Sequence, residues 1–394
     1  MAKRTIIIMP GDGIGNIVLP EALRVLDAAG FEADFIEADI GWEFWKTEGN
    51  PMPQRTLDLL TEHRIALFGA ITSKPKKAAA EELSEELRDK GYVYYSPIVG
   101  LRQHFNLDLC IRPCRSFAGN PLNFIRRGPG DTIEEPGVDV VIFRQNTEGL
   151  YCGLEWTDPP ENIREAFAAH PKFKAFADVP GEELAISSRI FTQTACNRIV
   201  EGAFKYAKKF GYKSVTVCEK PNVIRETSGM MLQTGRRIQK DYPDIELWNT
   251  NIDAQMMWLT KNPEDYGVIV AGNMFGDIVS DGFAGLVGGL GFACSANIGK
   301  DCAIFEPTHG SAPKYADYET SIVNPAAMIL SACMMLDHLK LQEQADRIRT
   351  AIAKVVAGGK VRTYDMMRMK GSPDVIANGA VSTSQMTDAI IEQL

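Results

Sequence analysis

The sequence predicts an α/β architecture in which strands are covered by helices. Three observations predict it. β-Branched runs of strand length alternate with segments of helical apolar period along the whole chain. The 394 residues are enough to bury a large core. No internal repeat, low-complexity tract or Gly/Ser linker breaks the alternation.

In chain order, the first strand is Thr5–Met9, followed by a glycine turn and an apolar-periodic helix over Ile17–Ala29. Phe31–Ile36 alternates as a half-buried strand does, and Ile65–Phe68 is a short apolar run ending in glycine. Later strands are expected at Val138–Phe143, Ser214–Val217, Ile245–Trp248 and Val268–Ala271. Between and after them, helices are expected at Arg189–Phe210, Arg225–Asp241, Ala326–His338 and Gln342–Val356. Two stretches interrupt the rhythm. Lys74–Lys90 is charged and alanine-rich and reads as a solvent-facing helix inserted after a strand. Glu155–Glu183 is rich in proline, aromatics and charge and has no dominant period, which reads as an excursion that either contacts a neighbouring subunit or decorates the surface.

Composition excludes several functions. With 42 basic and 51 acidic residues the net charge is -9, which argues against nucleic acid as the main partner. No apolar run reaches the roughly 20 residues that a membrane-spanning helix needs, and the start MAKRTIIIMPGDGIG lacks the form of a signal peptide. Eight scattered cysteines form no CxxC pair, and five histidines have no zinc spacing. A cytoplasmic protein with free thiols is the expectation.

Four sets of residues could carry chemistry. Gly11-Asp12-Gly13-Ile14-Gly15 sits between strand and helix, but its third glycine comes one residue too soon for a dinucleotide fingerprint. Asp277 and Asp281 lie four apart; if a helix starts near Asp277 they share a face, where they hold a divalent cation or serve as a cap and a surface residue. The loop Glu306–Tyr315 combines small residues with His309 and an adjacent Lys314-Tyr315, and suits either a phosphorylated ligand or an ordinary turn. Arg102, Arg112, Arg115 and Arg144 occupy otherwise apolar segments, where they pair with protein carboxylates or, converging, grip a polycarboxylate.

Together these motifs resemble the β-decarboxylating dehydrogenases, the family of isocitrate, isopropylmalate and homoisocitrate dehydrogenases. The matching stretches are PGDGIG, LRQ with IRPCR, FRQNTEGLY, the lysine of CEKPN, NMFGDIVSD and EPTHGSAPKYA, in the family's order from residue 10 to beyond residue 360. The resemblance is strongest to bacterial NADP-dependent isocitrate dehydrogenase. It implies a large discontinuous α/β domain (1–107 with 288–394), a small α/β domain (108–287) and a clasp near 151–187. It also implies that the coenzyme does not use a Rossmann fold.

By resemblance, Ser96, Arg102, Arg112 and Arg144 bind the substrate, a small tricarboxylate. Asp277 and Asp281, with Asp253 of a second subunit, hold Mg²⁺ or Mn²⁺. Lys220, also from the second subunit, takes the hydroxyl proton, and Tyr151 returns one to the enolate. A homodimer with shared active sites follows. NADP is expected to lie against His309, Gly310, Ser311, Ala312, Lys314, Tyr315 and Asn324, with Lys314, Tyr315, Tyr364 and Arg368 on its 2′-phosphate. Three departures stand out: Ile98 replaces an asparagine usual before the LR arginine, Gln145 replaces a glutamate, and the Lys74–Lys90 insertion replaces a shorter glycine-rich loop.

Overall fold

The computed structural model of the chain describes residues 3–394; Met1 and Ala2, which head the basic start, lie outside the described residues. Ten strands form one sheet: β1 (Arg4–Gly11), β2 (Ala33–Glu37), β3 (Ile65–Ala70), β4 (Leu109–Arg115), β5 (Asp139–Gln145), β6 (Ser214–Glu219), β7 (Glu246–Asn251), β8 (Val268–Ala271), β9 (Cys294–Ile298) and β10 (Ala303–Pro307). Their spatial order is β7-β6-β8-β5-β4-β9-β10-β3-β1-β2. This is not a Rossmann arrangement.

Two parallel blocks make up the sheet. One is β10-β3-β1-β2 and the other β5-β8-β6-β7. Between them β4 and β9 pair with each other and with their outer neighbours antiparallel, so the two blocks run in opposite directions. Buried parallel strands must be apolar on both faces, and the sequence supplies this by alternation. Val141, Phe143, Val215, Val217, Val268 and Val270 pack with the helix Gln193–Phe210 on one face. Val140, Ile142, Ile269 and Ala271 pack with the helix Asn273–Leu286 on the other. Beside the first block, the core combines Ile6, Val18 and Leu26 from the start of the chain with Ile329, Ile352 and Ile390 from its end.

The expected helix Ala326–His338 and strand Val268–Ala271 have the observed bounds. The helix expected from Arg189 begins instead at Gln193, because the Thr192 side chain accepts the Ala195 N–H and caps it there. The Asn273–Leu286 helix starts four residues before Asp277, so Asp277 is an interior position and not a cap. Strands β4, β9 and β10 lie outside the predicted set.

Lys74–Lys90 is corrected most. Only Lys76–Glu81 is helical, and the segment is not a solvent-facing cylinder. Ala79 and Leu83 are buried against Trp42, Trp45 and Tyr94, and Trp45 Nε1 donates to the Ala79 carbonyl at 2.8 Å. These tertiary contacts override the helical propensity of the alanine run. The excursion after Tyr151 contains a two-stranded hairpin, Glu155–Thr157 with Ala185–Ser187, and between them the helix Glu161–Ala168.

Candidate active site

The site grows from the alternation of the central strands. On β4, Ile111 and Pro113 point one way and Arg112 the other; on β5, Phe143 opposes Arg144; on β10, Phe305 opposes Glu306. Arg112 and Glu306 line a cleft of about 550 Å³ whose wall also includes Ser96, Ile98, Arg102 and His309, and Arg144 meets Arg112 at Asp277 beside it.

Three buried arginines converge there. Arg102, on the helix Pro97–His104, donates from Nη2 to Glu306 Oε1 at 2.8 Å. Arg112 donates from Nη1 to Ser280 Oγ at 2.7 Å and Asp277 Oδ1 at 3.1 Å, with Asp281 Oδ1 at 3.5 Å. Arg144 donates from Nε to Asn273 Oδ1 at 2.9 Å and from Nη1 to Asp277. Burial, then the charges of Arg112 and Arg102, push the Arg144 pKa down to about 10. Such a cluster of like charges attracts anions. The buried Nε atoms of Arg102 and Arg112 have no hydrogen-bond partner.

Asp277 is the hub. One oxygen accepts from Arg112 and Arg144, and the other accepts from the Tyr151 hydroxyl at 3.3 Å. Gly276 makes this approach possible: a Cβ there would sit 2.7 Å from the Arg144 Cβ, so only glycine lets the helix press onto β5. Burial, ahead of the Asp277 charge, raises the Asp281 pKa although Arg112 opposes it. Burial also raises that of Tyr151, with Asp277 adding to the shift. Two oxygen-bearing side chains one turn apart, both facing a cation, have the chemistry of a hard divalent-metal site. Among the described residues, no cluster of three or more His, Cys, Asp or Glu side chains is placed to hold a metal.

Lys220 and Asp253 pair with each other, and the Lys220 hydrogen bond holds the Asp253 carboxyl below its ordinary pKa. Among the described residues, neither shares a hydrogen bond or ion pair with Asp277 or Asp281. The structure therefore groups Tyr151, Arg112, Arg144, Asp277 and Asp281, and leaves the Lys220–Asp253 pair apart.

The loop from Thr308 to Tyr315 folds over the glycine turn. Ile14 N–H donates to the Ser311 carbonyl at 2.8 Å, and a Cβ on Gly13 would meet that oxygen at 2.2 Å. The Ser311 hydroxyl bonds that of Thr72 at 2.6 Å, and Ala312 has φ +36°. His309 Nδ1 lies 3.0 Å from the Gly310 carbonyl; its Nε2 is buried without a partner, and burial lowers its pKa. Lys314 lies 4.6 Å from the Tyr315 ring, which packs 5.5 Å from that of Tyr364. Asn324 donates to Asp365 at 3.1 Å. Arg368 stands outside this cluster and donates to the Pro121 carbonyl at 3.1 Å.

Sequence reasoning missed the groups that orient these side chains. Glu306 accepts from Arg102 and, at 2.7 Å, from Asn297, which in turn accepts from Asn146 at 2.8 Å. Glu219, fully buried, accepts from Arg189, Ser228 and the Gly272 N–H. Polar residues inside otherwise apolar strands were the available signal.

Fold and site together define a decarboxylating dehydrogenase, built around a cationic cleft on a sheet shared by two blocks. The chain belongs to the isocitrate/isopropylmalate dehydrogenase family, whose model matches residues 5–390. It is 36% identical to the isocitrate/homoisocitrate dehydrogenase of Thermus thermophilus, covering 100% of this chain and 99% of that one. It is 37% identical to the 3-isopropylmalate dehydrogenase of Methanothermobacter thermautotrophicus, covering 93% and 97%. Identity to Protein DlpA of Legionella pneumophila is also 37% over 98% of this chain, which spans only 58% of that protein's length. The solved structure of isocitrate dehydrogenase from Methylococcus capsulatus superposes with a TM-score of 0.80 at 35% identity, covering 99% of each chain. The family generally uses a nicotinamide cofactor and Mg²⁺ or Mn²⁺. No helix among the described residues is long and apolar enough to cross a membrane.

Proposed function

We propose that this chain is an NADP-dependent isocitrate dehydrogenase, oxidising and decarboxylating isocitrate to 2-oxoglutarate and CO₂. The observation that carries this reading is a cleft lined by Ser96, Arg102 and Arg112, beside which Arg144 shares Asp277 with Arg112. Ser96 sits at the N-cap of the Pro97–His104 helix, yet its side chain makes no capping bond, which leaves the hydroxyl free for a ligand. In this reading the guanidinium groups take substrate carboxylates while Glu306 and Asp277 keep them oriented.

A divalent cation here would supply Lewis-acid polarisation of the substrate oxygens, and a nicotinamide would supply the hydride acceptor. Asp277 and Asp281, with Asp253 of a second copy, would hold the cation. Lys220 of that copy removes the hydroxyl proton, and Tyr151 protonates the carbon left when CO₂ departs. The separation of the Lys220–Asp253 pair from Asp277 supports a site completed by a second copy. So do the exposed apolar side chains beside these residues: Val223 is 68% exposed, Met257 44% and Ile278 44%. Lys314 with the Tyr315–Tyr364 pair supplies the cation and hydroxyls that a 2′-phosphate needs, which supports NADP; Arg368 would have to leave Pro121 to join them. A homodimeric cytoplasmic enzyme follows from this reading.

A second reading rests on Ile98. It presents an apolar side chain to the cleft, as the isopropyl group of 3-isopropylmalate would require of this wall; the longer, carboxylate-ended arm of homoisocitrate is the other alternative. Absorbance at 340 nm with Mg²⁺ separates the two. Isocitrate, homoisocitrate and 3-isopropylmalate are each offered with NADP and with NAD. Turnover chiefly with isocitrate and NADP is expected; turnover only with another malate overturns the substrate. Lys314→Asp with Tyr315→Ile is expected to cut NADP efficiency by about 100-fold or more and NAD efficiency far less. An equal loss with both coenzymes would show that these residues do not read the phosphate.

A further inference from the structure

We propose that Lys74, carried by the inserted segment, is the specificity residue that reads the third substituent of the substrate and selects a carboxylate there. This rests on the reading of the site as one for 3-substituted malates.

Lys74 lines the same cleft as Ser96, Ile98, Arg102 and Arg112. In that reading Arg102 and Arg112, with their partners Glu306 and Asp277, are taken up by the carboxylates that every 3-substituted malate carries. Lys74 is the remaining fixed cation of the lining, and its ammonium is held from two sides. Nζ lies 2.5 Å from Glu82 Oε1 and 4.8 Å from the centroid of the Trp42 ring. Trp42 Nε1 in turn donates to Glu82 Oε2 at 2.6 Å. The ammonium and the carboxylate of the insertion thus form a closed triangle with the indole of Trp42 outside it.

That triangle stands on a rigid base. Trp45, Ala79 and Leu83 are fully buried beside it. The Tyr94 hydroxyl donates to the Thr72 carbonyl at 2.6 Å, two residues before Lys74, and Ser84 N–H donates to the Lys46 carbonyl at 2.9 Å. A long charged side chain is a poor reader when it must be ordered on binding; here the ordering is already done.

Glu82 makes the reading selective. Lys74 and Glu82 are each a little over a third exposed, so their pair exchanges partners at small cost. An anionic substituent competes with Glu82 for the ammonium. An apolar one cannot; it leaves the pair intact and has to settle against Ile98, beside a charge that desolvates poorly. The insertion thereby supplies the polar contact that Ile98 cannot provide.

The test compares isocitrate with 3-isopropylmalate on the full-length wild type, Lys74→Met and Glu82→Gln, by steady-state kinetics and by calorimetric binding with Mg²⁺. Lys74→Met is expected to raise the KM ratio of isocitrate to 3-isopropylmalate about tenfold, and the Kd ratio likewise. Glu82→Gln is expected to lower both ratios by about two- to threefold, since it frees the ammonium. Unchanged ratios, or equal losses for the two ligands, overturn the inference. Failure of the underlying functional reading looks different: the wild type itself then binds and turns over neither compound.

Discussion

The two faces of the central strands are made from the same short peptides and do opposite things. One face of β5, β4, β9 and β10 carries Arg144, Arg112, Asn297 and Glu306, of which Arg112 and Glu306 line a polar cleft of about 550 Å³ and the other two hold their neighbours by hydrogen bonds. The reverse face of the same strands presents Phe143, Ile111, Ala296 and Phe305 to a cavity of about 990 Å³. That cavity is walled by the helices Gln193–Phe210, Ala326–His338 and Gln342–Gly358. A period of two separates chemistry from packing at single-residue spacing. On the front, a substitution breaks hydrogen bonds and charge pairs; on the back, it changes volume.

The largest effect expected is at the front. Asp277→Asn keeps the shape of the hub but removes the charge that three side chains share. We expect kcat/KM to fall by about a thousandfold or more, roughly 4 kcal/mol of transition-state stabilisation, with the circular-dichroism spectrum unchanged. Near-normal activity would remove Asp277 from the centre of the site.

Adjacent residues of β10 sharpen the contrast. Phe305 is 1% exposed, and Phe305→Ala is expected to lower unfolding free energy by about 3–5 kcal/mol while moving KM little. Glu306→Gln, one residue on, is expected to raise KM by about tenfold or more through Arg102, with a smaller loss of stability. Urea melts and kinetics on the same two variants decide it; the same profile from both would abolish the distinction between the faces.

The smallest effect lies at the back. His338 packs 5.6 Å from the Phe305 ring, and partial desolvation there holds the pKa of this solvent-exposed residue below the ordinary 6.5. The folded chain therefore binds its proton more weakly than the unfolded chain does. The stability owed to a neutral ring is present above about pH 6.5 and is lost as pH falls from there toward the folded pKa. Because the residue is solvent-exposed and screened, wild type should lose only a few tenths, about 0.3 kcal/mol, more than His338→Gln across that window. Parallel stability profiles would show that His338 titrates alike in both states.

What the sequence made legible follows the same division. Val268–Ala271 and Ala326–His338 could be read because every position of the one and most positions of the other are apolar and buried. The strands β9 and β10 escaped because Ser295, Asn297 and Glu306 interrupt them, and these are the residues turned to the site. The arginines and aspartates of the cluster were legible as residue types in a familiar order. Their orienting partners were not: Glu306 meets Arg102 across 204 residues of sequence, and no local pattern announces such a pair. In Lys74–Lys90 the composition suggested a helix, but Trp42, Trp45 and Tyr94 decide its course from outside the segment.

The chain order of the two cores carries a consequence for synthesis. The cluster around Val141, Phe204 and Val268 is drawn from residues 141–270 and has its partners at hand once that stretch has emerged from a ribosome. The cluster around Ile6 and Leu26 cannot close until Ile329, Ile352 and Ile390 arrive. The first strand thus waits for more than 300 residues of translation with its apolar side unmet. A nascent chain halted near residue 290 would hold one finished core and one half-made one, and the half-made end is where a chaperone would find something to bind.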